Sequence, residues 1–185
     1  DVTGKSLAIV GLGGIGLSAL LSAVLGGAKT IVAIDVRQAK LELAKQFGAT
    51  HVFLGTDPDC AEKVKAATDG GVDYAMEMAG SISAMKLAYA IGRRGSTTIC
   101  AGLPPHDAVF AVPPAQMVSD ERVIKGSYMG SSDPQRDIPF LAEEFVGGRL
   151  PVDRLLTDQL SFDQLNAGFD RLDDGDAVRQ VLKCS

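Results

Sequence analysis

The chain has 185 residues, 46% hydrophobic and 22% charged, which is enough apolar sequence for one domain with a sizeable core plus an appendage. Its net charge of −5 argues against nucleic acid as a partner, because neutralising phosphates needs a basic surface. No Lys/Arg cluster marks a membrane surface, the most apolar stretch (15–25) is too short to span a bilayer, and no signal peptide is visible, so a soluble cytoplasmic protein without a membrane partner is expected.

In chain order, Ser6–Val10 is a short apolar run ended by a glycine turn, and Gly14–Leu25 is long enough for a buried helix that Gly26 and Gly27 stop. A β-branched run from Thr30 to Asp35 predicts a second buried strand, and 39–47, with Leu41, Leu43, Ala44 and Phe47 among Lys and Glu, a helix closed by Gly48. The rhythm repeats as strand His51–Leu54, helix 59–68, strand 72–78, helix 81–90 capped by Ser81, and strand 97–101. Strands alternating with helices and no room for hairpins predict an α/β fold, a Rossmann-type doubly wound parallel sheet with helices on both faces. Beyond Gly102 the texture changes. A short strand between Ala108 and Val112 is flanked by prolines, which places it at an edge, and a helical turn and a sixth strand (123–127) follow. The last third reads as helix 136–146, strand 156–160, helix 162–172 and strand 178–183. Two domains are expected, 1–132 for the dinucleotide and 133–185 as a C-terminal segment.

Gly11-Leu12-Gly13-Gly14-Ile15-Gly16 fits G-x-G-x-x-G directly after a strand and at a helix start, the context that gives the pattern meaning. Gly11 permits the tight turn, Gly13 lets backbone approach a pyrophosphate, and Gly16 lets the helix sit close to the strand. Gly14 and Ile15 lie at the helix start, whose unpaired N–H groups suit phosphates. The helix dipole adds only about 0.3–1 kcal/mol per charge, so direct hydrogen bonds must carry most of the anchoring. Asp35 ends the second strand about twenty residues on, where a carboxylate accepts from ribose hydroxyls and repels the 2′-phosphate of NADP. Arg37 is the one dissenting residue, since a nearby arginine can accommodate that phosphate. NAD is the expected cofactor.

The runs Ala8-Ile9-Val10-Gly11-Leu12-Gly13-Gly14-Ile15-Gly16, Ile34-Asp35, Ala44-Lys45-Gln46-Phe47-Gly48-Ala49, Gly71-Val72-Asp73-Tyr74 and Gly102-Leu103-Pro104-Pro105 resemble the zinc-containing, medium-chain alcohol dehydrogenases, in order over essentially the whole chain. The resemblance implies the coenzyme-binding domain and C-terminal tail of such an enzyme, which transfers hydride between an alcohol and NAD. It also implies roles by position: Lys40 at the adenosine ribose, Gly80 on the adenine side, Ala101 and Leu103 near the nicotinamide carboxamide, and Arg179 at the pyrophosphate.

The family's catalytic zinc ligands, proton relay and structural zinc loop belong to an N-terminal catalytic domain, and none lies in this sequence. Cys60, Cys100 and Cys184 show no paired spacing for zinc or a disulfide framework. The parent enzyme thus implies zinc, the chain itself no metal ligands and no catalytic residue, and a missing catalytic domain as partner. The chain begins at Asp1 with a strand six residues on, which suggests a fragment, and alone it is expected to bind cofactor without catalysis. The resemblance further implies a homodimer through the edge segment from Ala108 to Val112, and a tail in which Leu155, Leu160 and Phe162 face the catalytic domain. His51, His106 and Glu77 are read as structural or merely cleft-lining. The short-chain dehydrogenase signature Tyr-x-x-x-Lys fails, because Met78, Arg93 and Ser132 follow Tyr74, Tyr89 and Tyr128 by four. A methyltransferase fits the 102–105 run poorly. A stand-alone NAD-sensing module is the alternative of a different class.

Overall fold

The β-branched runs become strands and the Leu/Ala-rich runs between them become helices. The computed structural model describes residues 1–128 and 130–184 and divides into two compact units, Asp1–Pro134 and Gln135–Ser185. In the first, strands β1 (Ser6–Val10), β2 (Thr30–Asp35), β3 (His51–Leu54), β4 (Val72–Glu77), β5 (Gly92–Cys100) and β6 (Val123–Gly126) form one sheet in the order β3-β2-β1-β4-β5-β6. Every neighbouring pair is parallel. Helices α1 (Gly14–Leu25), α2 (Gln38–Gln46), α3 (Cys60–Ala67) and α4 (Ile82–Ala90) supply the crossovers, and α5 (Pro114–Ser119) precedes β6. The strand order reverses between β1 and β4, the doubly wound arrangement expected from the alternation.

The period-two alternation of the strands divides the core between two faces. Ala8, Val10, Val32, Ile34, Val72 and Ala75 cluster with Cys60 and Val64 of α3 and Ala84 and Ala88 of α4. Ile9 faces the other way, toward α1, which buries Leu17, Leu20 and Leu21. Leu17 and Leu20 have no exposed surface, and each contributes roughly 1.5–3 kcal/mol of burial.

Three expectations are corrected. β5 begins at Gly92 rather than at 97, pairing with Val72 before a register shift. The segment from Ala108 to Val112 forms no strand with any described residue of the chain; it alternates half-buried and exposed side chains without a ladder. The expected helix 162–172 is a 3₁₀ turn (Phe162–Gln164) followed by α7 (Leu165–Asp173).

The second unit contains most of α6 (Pro134–Val146), a 3₁₀ turn (Val152–Leu155), and the parallel pair β7 (Leu156–Leu160) and β8 (Arg179–Leu182) joined through α7. Leu155 is already buried, whereas Phe162 is 63% exposed. Among the described residues no helix is long and apolar enough to cross a membrane.

At the N-terminal edge of the sheet, Asp73 ties three strands together. Its Oδ2 accepts from the Ser6 N–H and Ser6 Oγ (both 2.8 Å), and Arg93 pairs with its Oδ1. Burial alone would raise the Asp73 pKa, but the Ser6 hydrogen bonds and the Arg93 charge outweigh it and hold the carboxyl below its usual value. A depressed folded pKa gives stability that is complete above the unfolded value and is lost as pH falls through the folded one. Asp73→Asn should therefore destabilise the chain by about 1–3 kcal/mol at neutral pH. Its melting temperature should also fall less than wild type between about pH 5 and 3, as calorimetry across that range would measure.

Candidate functional site

The turn after β1 uses three glycines for three different reasons. Gly11 continues the ladder, its N–H donating to the Ile34 carbonyl (2.8 Å), and then leaves it at φ +97°, where a Cβ would meet Ala79 at 2.8 Å. Gly16 packs against the turn itself, so that a Cβ there would lie 1.8 Å from the Gly11 carbonyl oxygen. Gly13 has ordinary dihedrals and nothing within 4 Å of a hypothetical Cβ, so its missing side chain leaves open space above the turn.

That space lies over the start of α1. The first intrahelical bond runs from the Leu17 N–H to the Gly13 carbonyl (2.9 Å), leaving the N–H groups of Gly14, Ile15 and Gly16 ahead of the ladder. No side chain caps this end and no acidic residue sits in its first turn. Ile15 is 61% exposed beside it. An uncapped helix start with unobstructed backbone donors suits an anion.

Asp35 closes the turn from the side. Its Oδ2 accepts from the Leu12 N–H (2.7 Å) and its Oδ1 from the Arg37 N–H (2.9 Å). A carboxylate has about four acceptor positions, so each oxygen can still accept from a hydroxyl. Beside it opens a cleft of about 120 Å³ lined by Val10, Gly11, Ile34, Val36, Ala79 and Leu87, with Ser81 and Ser83 at its polar edge. The cleft sits outside the carboxyl ends of β1, β2 and β4, at the reversal of strand order, where open α/β sheets take their ligands. Its apolar walls, ending in a carboxylate and then in bare backbone N–H groups, match a flat base, a sugar and a phosphate in sequence.

The remaining sequence candidates are distributed around and beyond this group. Lys40 lies in α2, one turn past Asp35, and is only 8% exposed, so it is no ordinary solvated lysine. Gly80 lies in the loop between β4 and α4 at φ +70°. Ala101 and Leu103 follow β5, and Leu103 is 79% exposed. Arg179 belongs to the second unit, where it opens β8 with its side chain exposed. His51 shares a hydrogen bond with Thr50 Oγ1 (2.9 Å), a structural contact.

Glu77 was underestimated from sequence. It does not line the cleft, for it is 0% exposed at the end of β4, with Oε1 accepting from the N–H groups of Ala79 (2.8 Å) and Gly80 (2.6 Å). The neighbouring Cys100 thiol is pushed up by burial and by the Glu77 charge, which leaves it a poor nucleophile. The signal was present in the alternation: Glu77 occupies the same inward face as Ala75, where a carboxylate needs partners.

Residues 14–144 match the family model described as zinc-binding dehydrogenase. Alcohol dehydrogenase 1 of Trifolium repens is 33% identical over 183 residues, covering 97% of this chain and 48% of that protein. Alcohol dehydrogenase class-P of Arabidopsis thaliana is 32% identical with the same coverage. Among solved structures, benzyl alcohol dehydrogenase from Acinetobacter calcoaceticus superposes with a TM-score of 0.96 at 32% identity, over 100% of this chain and 51% of that one. The chain spans about half the length of the curated relatives it matches.

The geometry of the turn separates folding from binding. Gly16→Ala should destabilise the chain by roughly 3 kcal/mol, because the Cβ meets backbone that cannot swing aside. Gly13→Ala should change stability by no more than about 1 kcal/mol. Thermal melts of the two variants check this, and equal losses would contradict it.

Proposed function

The chain belongs to the zinc-binding dehydrogenase family, and from that premise we propose that it is the NAD-binding half of an alcohol dehydrogenase. The observation that carries this reading is the open space at Gly13, set between an uncapped helix start and the Asp35 carboxylate. NAD fits that arrangement: the adenine takes the apolar cleft, Asp35 the ribose hydroxyls, and the N–H groups ahead of the α1 ladder the pyrophosphate. Lys40 would add a cation on the ribose side, Gly80 would border the adenine side, and Ala101 and Leu103 the nicotinamide carboxamide. Arg179 would supply a second contact to the pyrophosphate.

When bound, NAD accepts or returns a hydride at its nicotinamide ring. The residues of this chain bind and orient it. Asp35 selects against a 2′-phosphate, and the turn fixes the phosphates so that the ring has one location. Among the described residues no three His, Cys, Asp or Glu side chains gather where a metal ion could be held. The alcohol would be bound, and polarised by zinc, in the half of such an enzyme that this chain does not span. The activity proposed for the whole protein is alcohol oxidation or aldehyde reduction in the cytoplasm, with the second unit, 135–185, meeting the catalytic half.

A homodimer is proposed through the segment from Ala108 to Val112. Val109 is 78% exposed, and the sheet ends at β6 with Val123 and Ile124 also open to solvent. An apolar edge of this kind is otherwise an aggregation hazard.

Titration calorimetry should show NAD binding at least about tenfold tighter than NADP, since the repulsion at Asp35 amounts to 1.4 kcal/mol or more. Equal affinities would remove the role given to Asp35. Gly13→Val should abolish NAD binding while the melting temperature stays near wild type, a combination that a purely structural turn could not produce. Val109→Lys should convert a dimer to a monomer in sedimentation, and a variant that stays dimeric would count against that interface.

A further inference from the structure

Glu77 sits beneath two loops at the carboxyl edge of the sheet and is hydrogen-bonded to both. Its side-chain Oε1 accepts from the Ala79 N–H and the Gly80 N–H at 2.8 and 2.6 Å. Its main-chain carbonyl accepts from the Ala101 N–H and the Gly102 N–H, both at 3.0 Å. The two loops touch backbone to backbone. A Cβ on Gly102 would lie 2.1 Å from the Gly80 nitrogen and 2.6 Å from Glu77 Oε2, and a Cβ on Gly80 would lie 2.9 Å from the Leu103 carbonyl oxygen.

The second carboxylate oxygen, Oε2, is buried and has no hydrogen-bond partner among the described residues. Burying a polar oxygen without a partner is unfavourable, and an apolar residue at this inward-facing position would avoid it. What a carboxylate provides here is an acceptor for two consecutive N–H groups. That fixes the backbone of the loop between β4 and α4 at Ala79 and Gly80.

The position of these loops gives the fixing a purpose. Asp35 lies at the end of β2, on one side of the strand-order reversal, so a dinucleotide crossing the glycine turn must lay its second half on the β4–β5 side. There the backbone offered to it is that of residues 101–103, against which Gly80 packs. We propose that Glu77 is a positioning residue for the nicotinamide half of the cofactor, holding those two loops at a fixed separation without touching the ligand. This rests on the NAD reading above and extends it to a residue outside the fingerprint.

The test compares NAD with ADP-ribose, which keeps the adenosine, pyrophosphate and second ribose but lacks the nicotinamide base. Calorimetry on the 185-residue chain should show Glu77→Ala weakening NAD about tenfold, or about 1.4 kcal/mol, and ADP-ribose less than about threefold. Glu77→Asp, which keeps the carboxylate but withdraws it by one methylene, should show the same selective loss and serves if the alanine variant does not fold. Glu77→Gln keeps Oε1 and should restore the wild-type ratio of the two affinities. Equal losses for both ligands, no loss, or a glutamine variant as selective as alanine would each overturn the assignment. A wild-type chain that binds neither ligand would instead remove the NAD reading. Amide exchange in the ligand-free chain then still decides the loop-fixing role: Glu77→Ala should speed exchange at Gly80 and leave Leu12 unchanged, and unaltered Gly80 exchange would overturn it.

Discussion

The contact on which the rest of the structure depends is the approach of α1 to the exit of β1, where Gly16 leaves no room for a Cβ above the Gly11 carbonyl. Because the helix starts this close to the strand, its first N–H groups emerge at the edge of the sheet and not above its face. The same closeness lets Leu17, Leu20 and Leu21 reach the sheet directly, so the core and the uncapped helix start are set by one steric fact. A larger residue at 16 would displace the helix and both consequences together.

The charge arrangement follows from that geometry. Asp35 accepts from Leu12 in the turn and from Arg37 at the start of α2, so it holds the turn in shape with one oxygen and the next helix with the other. A carboxylate near a phosphate site is unfavourable on Coulomb grounds alone. In the proposed site it would be compatible because its charge is partly met by two backbone dipoles. On the proposed NAD reading, selectivity between cofactors and rigidity of the turn would reside in one side chain, so altering the first would disturb the second.

Much of this was legible in the sequence because burial and backbone demands coincide there. β-branched runs bounded by glycine gave the strands, and glycines at fixed offsets gave the turn, since both follow from local chemistry. What was not legible depends on partners distant in the chain. The start of β5 contains Arg93, Arg94 and Gly95, which look like a loop, and only pairing with Val72 and the contact of Arg93 with Asp73 make it strand. The segment from Ala108 to Val112 has the alternation of a strand but finds no described partner within the chain. Glu77 was visible as an inward-facing acid, yet its hydrogen bonds run to loop backbone, which carries no side-chain signature.

The placement of exposed apolar side chains follows the same division. Before residue 100, large hydrophobics open to solvent are few, and two of them, Ile15 and Val36, stand at the glycine turn and in the cleft. After that point they become frequent: Leu103, Val109, Val118, Ile138, Phe140, Val146, Phe162 and Phe169 are each more than half exposed. Single exposed apolar residues need no explanation, but a run of them through the later part of one chain does. A sheet that buries its own faces and a later segment that leaves apolar side chains uncovered have different requirements. The first would serve, on the proposed reading, as a cofactor platform, whereas the second has surface suited to further protein. That asymmetry supports reading this chain as one half of a larger enzyme over reading it as a free-standing sensor, whose surface would have no reason to change character at residue 103.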